Sequence, residues 1–172
     1  MEKITWSERI TKFYQQKEYR PVQVFILVNK NYEFLVVQSA KEPKIWSFPQ
    51  GGIEVNETLA ENMVRELQEE VGTSAQNIKS IYSAFHEAKV DFDSSRQGER
   101  EFMKGKYYFF TVAEYAGVKE LVFNPEEILN IQWLPDHKVE LAFGSMNHQK
   151  RIIMEEARRI AKQLLTNKEK GF

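Results

Sequence analysis

The 172-residue sequence contains no cysteine, which rules out disulfides and thiolate metal sites. Histidine is nearly as scarce: His86, His137 and His148 stand at no familiar ligand spacing, so a zinc centre has little to rest on. Excess charge of one sign is also missing. The formal net charge is −1, and no overall field argues for a nucleic-acid partner. No apolar run approaches membrane-spanning length. The first fourteen residues carry charges throughout and lack the apolar segment of a secretory signal, so a cytoplasmic protein is expected. Repeats, low-complexity tracts and obvious linkers are absent as well. The length can bury a core without staples. One domain over residues 19–166 is expected, with an N-terminal extension over 1–18 and a frayed tail over 167–172.

What is present reads as strands, helix, strands, helix. Trp6, Ile10, Phe13 and Tyr14 fall at helical spacing with Ser7 as a candidate N-cap. This short amphipathic helix would pack on the domain or serve a homodimer contact. Residues 22–28 are β-branched and almost continuously apolar, which predicts a buried strand. An Asn-Lys-Asn turn leads to a second strand over 34–38. Residues 39–44 form a loop, and Pro49 favours an edge or turn. Further strands are predicted over 78–85, 106–112 and 131–134, with most of 88–101 a loop. Ile153, Ala157, Ile160, Ala161 and Leu164 make one stripe of a long amphipathic helix over 145–165. The order defines a mixed α+β domain.

The stretch from Gly51 to Gly72 concentrates the polar signal. Thr58 can start a helix there. Ala60, Met63, Val64, Leu67 and Val71 recur at three- and four-residue steps and give it a core face. Gly72 stands where a left-handed residue would end it. Glu66, Glu69 and Glu70 fall within about 100° of arc on another face. Carboxylates three or four residues apart repel, and this end of a helix disfavours negative charge. Such a cluster costs stability unless cations compensate it. It can be read as a solvated acidic face, or as a scaffold helix for a basic partner. The company of Glu57, Arg65 and the glycines favours a third reading, in which hard oxygen ligands hold Mg²⁺ or Mn²⁺.

The order Gly51, five residues, Glu57, seven residues, Arg65-Glu66-Leu67, one residue, Glu69-Glu70, one residue, Gly72 resembles the Nudix box at every charged and glycine position. Thr73 stands at its final aliphatic position. The resemblance implies an α/β/α sandwich with a mixed sheet, and hydrolysis of a nucleoside diphosphate linked to another group. It also implies divalent cations held by Glu66, Glu69 and Glu70 with the carbonyl of Gly51, and a structural ion pair between Glu57 and Arg65. Outside the box, Tyr19-Arg20-Pro21, the run from Trp46 to Gly52, and Lys106-Tyr107-Tyr108-Phe109-Phe110 resemble one branch. So does the last helix with Lys150-Arg151. That branch contains RNA pyrophosphohydrolases and diadenosine polyphosphate hydrolases. Pro125-Glu126-Glu127 resembles the segment carrying a further glutamate; alignment on Trp133 selects Glu127, with Glu126 as its competitor. Two places depart from the branch: Ala40 and Lys41 stand near an expected arginine, and Gln149 replaces an aromatic residue.

Polyphosphate cleavage requires neutralisation of the phosphate oxygens and a base for the attacking water. Glu66 and Glu70 are predicted as metal ligands with Glu69 in the same shell. Glu127 or Glu69 is the predicted base. Arg20 and Lys106 are candidates for phosphate contacts, while Lys41 and Lys104 read as surface charges. Gln50 would contact substrate or simply serve a turn. Tyr107, Tyr108 or Phe143 could stack on a base, although strand alternation lets only one pair of the 107–110 aromatics share a side. The expected substrates are RNA 5′-triphosphate ends or dinucleoside polyphosphates. Nucleoside triphosphates, sugar nucleotides and a non-catalytic nucleotide-sensing module are the alternatives.

Overall fold

The structure, a computed structural model, describes residues 6–92, 102, 104–117 and 121–169. In chain order its elements are α1 (Trp6–Gln16), β1 (Tyr19–Val28), β2 (Phe34–Ser39), β3 (Trp46–Ser47), β4 (Gln50–Gly52) and α2 (Leu59–Val71). They continue with β5 (Ile78–Asp91), β6 (Gly105–Tyr115), β7 (Ile128–Leu134), α3 (Asp136–Ala142) and α4 (His148–Glu169). All the strands join one mixed sheet. β1 is its spine. It runs parallel to β6 from Tyr19 opposite Gly105 to Val28 opposite Glu114, and antiparallel to β4 at Val22–Val24. β2 carries β3 and β7, and β5 lies beyond β6.

The apolar run of β1 is buried from Pro21 onward because helices cover both faces of the sheet. Alternation then sorts its side chains. Val22, Val24, Ile26 and Val28 join Phe48, Phe110 and Val112 under Met154, Ala157 and Ala161 of α4. Phe25 and Leu27 join Leu35, Val37 and Ala113 under Met63, Leu67 and Val71 of α2. A smaller cluster places Ile10 of α1 with Ile53, Leu59 and Phe109. The result is an α/β/α sandwich, with the box helix and α1 on one face and the last helix on the other.

Several expectations are corrected. Ser7 lies inside α1 rather than capping it. The expectation that α1 packs on the domain holds: Ile10 is buried, and Phe13 and Tyr14 partly buried, against β6 and the segment before α2. Ala60 is exposed, and Leu59 takes the first-turn core position because Leu59, Met63 and Leu67 stack at four-residue steps. β5 runs on to Asp91, so residues 88–91 are strand; residues 93–101 of the predicted loop lie outside the described residues. α3 was not signalled by the sequence pattern. α4 begins at His148 and continues to Glu169, past the predicted end. Residues 167–169 of the expected tail are therefore helix, and 170–172 lie outside the described residues.

Candidate active site

Local chemistry fixes α2 at both ends. Thr58 and Glu61 form a reciprocal capping box: Thr58 Oγ1 accepts from the Glu61 amide at 3.1 Å, and the Thr58 amide donates to Glu61 Oε2 at 3.2 Å. At the other end Gly72 adopts φ 66°, and its amide donates to the Gln68 carbonyl. A side chain there would be strained by the backbone and would meet the Val122 carbonyl oxygen at 2.5 Å.

Glu57 organises the loop before the helix. It accepts from Arg65 Nε at 2.6 Å, from Asn62 Nδ2 at 2.9 Å and from the Glu54 amide at 3.0 Å. Burial pushes its carboxyl up, but the bonds from Arg65, the Glu54 amide and Asn62 outweigh this and hold it below the usual carboxylate range. Arg65 is correspondingly raised, first by its bond to Glu57. The Glu57–Arg65 pair implied by the resemblance is present in the structure.

A cleft of about 520 Å³ opens between α2, β4, the end of β2 and the turn before β7. Glu66, Glu70, Glu126 and Glu127 supply carboxylates; Arg20, Lys41, Lys106 and Lys150 supply cations; Gln50, Gly51 and Gly52 complete the lining. Gly51 is required by close approach. A Cβ there would collide with Glu66 Cδ, so any larger residue would push the carboxylate aside. Gly52 similarly leaves room for the Arg20 guanidinium, whose Nη2 lies 2.7 Å from where a Cβ would be. The turn carrying Glu127 is tied down on two sides. The Asn124 amide donates to the Glu70 carbonyl at 2.9 Å, and the Ala40 amide to the Glu127 carbonyl at 2.8 Å.

The electrostatics of the acidic wall are strained. Glu70 is pushed up to about 8, chiefly by burial and then by the negative charges of Glu66, Glu127 and Glu69. Burial also raises Glu66, against the opposing pull of Arg65. Among the described residues no lysine or arginine forms an ion pair with Glu70. A partly buried carboxylate of this kind, with the carboxylates of Glu66 and Glu127 beside it, offers the oxygen ligands that suit a hard divalent cation. Among the described residues these groups are not already gathered into a coordination shell. Gln50 Oε1 is also buried in the lining without a hydrogen-bond partner.

The cleft therefore brings together Glu66, Glu70, Glu127, Gly51, Gln50, Arg20 and Lys106. It does not include Glu69 or Tyr107. The Glu69 side chain is 55% exposed and turns to Arg65 Nη1 at 3.5 Å. Tyr107 faces the opposite side of β6 from Lys106, where it packs on Phe13 with ring centroids 5.0 Å apart and accepts from Arg9 at 3.3 Å. Alternation makes it impossible for both neighbours to reach one ligand. Tyr108 and Phe143 belong to the core under α4, so neither offers a free stacking face. Lys41 is exposed, as expected, and it also lines the cleft and counters the rise of Glu70. Lys104 is a surface charge, paired with Glu18 at 2.8 Å. His137 and His148 are exposed, and the His86 side chain lies outside the described ones. Sequence reasoning missed Glu42, its pairing with Lys150, and Asn62. Glu42 and Lys150 pair with each other in the cleft lining, across 108 positions of chain that carry no local signal. Asn62 is fully buried behind it, and its only sequence signal is a polar residue on the buried face of an amphipathic helix.

A mixed sheet between helical layers, with a capped helix offering carboxylates to a cleft that four cationic side chains also line, defines a class of α/β/α proteins. Its particular membership follows from comparison: the NUDIX domain family matches residues 18–156, and the chain belongs to that family. Among curated relatives, the RNA pyrophosphohydrolase of a Nitratiruptor species is 41% identical over 63 residues, covering 34% of this chain and 41% of its own. The RNA pyrophosphohydrolase of Helicobacter pylori is 35% identical over 98 residues, covering 55% and 57%. The chain thus matches roughly half the length of these relatives. A Caenorhabditis elegans Ap4A hydrolase structure superposes with a TM-score of 0.61 at 15% identity, covering 85% of this chain and 98% of that one. At that identity the likeness establishes the fold.

Proposed function

We propose that the protein is a divalent-metal-dependent hydrolase that cleaves a phosphoanhydride bond of a nucleotide substrate. One observation carries the reading: a single cleft is lined both by the carboxylates of Glu66, Glu70 and Glu127 and by the cations of Arg20, Lys41, Lys106 and Lys150. An acidic wall alone would repel polyphosphate, and a basic wall alone would bind it without chemistry. Glu66 and Glu70 would hold Mg²⁺ or Mn²⁺ with the Gly51 carbonyl. Bound there, the ion would neutralise phosphate charge and acidify water. Glu127 is favoured over Glu69 as the base, because it lines the cleft beside Glu70 while Glu69 is turned to Arg65. Arg20 and Lys106 hold phosphate oxygens, and Gln50 offers a buried acceptor to the substrate.

RNA 5′-triphosphate ends are the favoured substrate, supported by the names of the curated relatives, with dinucleoside polyphosphates next. Among the described residues no helix is long and apolar enough to cross a membrane. A panel with Mg²⁺ and Mn²⁺ tests the reading: triphosphorylated RNA, diadenosine polyphosphates, nucleoside triphosphates and sugar nucleotides. Turnover of the first two above the rest is expected. Binding across the panel without turnover would instead identify a nucleotide-sensing module.

A further inference from the structure

Helix α1 lies before residue 18, where the family match begins, yet it is fastened to the glycine segment of the cleft. Ile10 is buried with Ile53, Leu59 and Phe109, and Phe13 and Tyr14 pack on the same cluster. Tyr14 Oη donates to the Ile53 carbonyl oxygen at 2.7 Å. One residue earlier, the Gly52 carbonyl oxygen accepts from Asn62 Nδ2 at 2.7 Å and from Arg65 Nη2 at 3.3 Å. Two successive carbonyls of the chain leaving β4 are thus held by side chains from two different helices.

Neither polar group is what packing alone would select. Asn62 is fully buried and its Oδ1 has no partner, which costs free energy that alanine in a helix core would avoid. The Tyr14 ring packs edge-on against Phe102 at 5.4 Å between centroids, a contact phenylalanine would keep. What the hydroxyl and the amide add is fixation of the backbone next to Gly51. A Cβ on Gly51 would collide with Glu66 Cδ, so a side chain there could enter only by pushing the carboxylate aside. Any drift of β4 therefore changes the distance between Gly51 and Glu66 directly.

We propose that Tyr14 and Asn62 are positioning residues that set the approach of the Gly51 backbone to the Glu66 carboxylate, which makes α1 a working part of the acidic wall. The proposal rests on the metal-dependent reading given above. Neither side chain lines the cleft: Tyr14 acts through the Ile53 carbonyl, and Asn62 through the Gly52 carbonyl and the Glu57 carboxylate. The residues concerned lie outside the glutamate, arginine and glycine positions of the box.

The test uses the full chain with Tyr14→Phe and Asn62→Ala, alone and combined. Mn²⁺ affinity from electron paramagnetic resonance is expected to fall roughly three- to tenfold in Tyr14→Phe, the factor expected from losing one hydrogen bond, and at least as far in Asn62→Ala, which also gives up its bond to Glu57. The double variant should lose less than the product, because both bonds hold one segment. In metal-free protein, amide exchange over residues 51–53 should quicken while the melting temperature of Tyr14→Phe stays near that of wild type. With substrate, kcat should fall while KM moves by less than about twofold. Wild-type Mn²⁺ affinity in both single variants would overturn the proposal. So would an affinity loss seen only where the melting temperature also drops. Wild-type protein that binds Mn²⁺ but turns over nothing would end the hydrolase reading, yet the Mn²⁺ comparison would still decide the positioning roles. A wild type that binds no Mn²⁺ overturns both.

Discussion

Arg65 and Glu57 meet across the loop joining β4 to α2, Nε to Oε1 at 2.6 Å, with side chains only 28% and 10% exposed. The same guanidinium reaches Glu66 Oε1 through Nη1 at 3.1 Å. Glu57 therefore restrains the guanidinium that also pairs with Glu66. Glu57→Gln should loosen that restraint and weaken Mn²⁺ binding. A double-mutant cycle on Glu57→Gln and Arg65→Lys should give a coupling of about 1–2 kcal/mol in unfolding free energy. Strict additivity would show that the two residues act independently.

Glu70 is a liability in the metal-free protein, since burial and neighbouring carboxylates oppose its charge. Glu70→Gln should raise the melting temperature in EDTA by roughly 2–5 °C at pH 8. Mn²⁺ stabilises wild type by binding the folded state, and the variant should lose most of that gain. An equal Mn²⁺ shift in both proteins would remove Glu70 from the ligand set.

Glu127 and Glu69 compete for the base, and their placement ranks them. Glu127→Gln should lower kcat by about 100-fold or more, with Mn²⁺ affinity changed far less. Glu69→Gln should cost less, because its carboxylate is half-exposed and engaged with Arg65. Single-turnover rates on the best substrate of the panel check the order, and the reverse order would assign the base to Glu69.

Away from the cleft, Asp136 accepts from Arg158 Nε at 2.5 Å and lies 2.9 Å from Lys162 Nζ. Burial pushes its carboxyl up, but the bonds from Arg158 and Lys162 prevail and hold it below the usual value. A depressed folded-state pKa stabilises above the unfolded value of about 3.9, and the contribution fades as pH falls through the folded value. Asp136→Asn should therefore melt below wild type at pH 7, with the two curves converging below about pH 4. Parallel curves down to pH 3 would contradict the assignment.

Much of this architecture was legible from local pattern. Thr58, Gly72 and the stripe of Met63, Leu67 and Val71 specify α2 because caps and periodicity act within a few residues. The box carboxylates were equally visible. What was not visible depends on partners distant in sequence. Nothing near Tyr14 announces the Ile53 carbonyl, 39 positions away. Nothing near Lys150 announces Glu42. Ala60 and Leu59 exchange places because one residue is about 100° of helix, and the sheet decides which of them faces in. Spacing along a helix groups Glu69 with Glu66 and Glu70, but only the fold shows that Arg65 draws it aside.

Strand alternation on β6 also gives the cleft a check on its own assembly. Lys106 and Tyr107 lie opposite Arg20 and Pro21 in the parallel pairing with β1. A slip of one residue would bring a phenol to the cation wall and press the Lys106 ammonium towards Arg9 and Phe13 of α1. The misaligned strand would then carry a partly buried charge against another cation beside the Phe13 ring. The residues that give the cleft its positive side thus also help to reject the wrong alignment of the sheet beneath it.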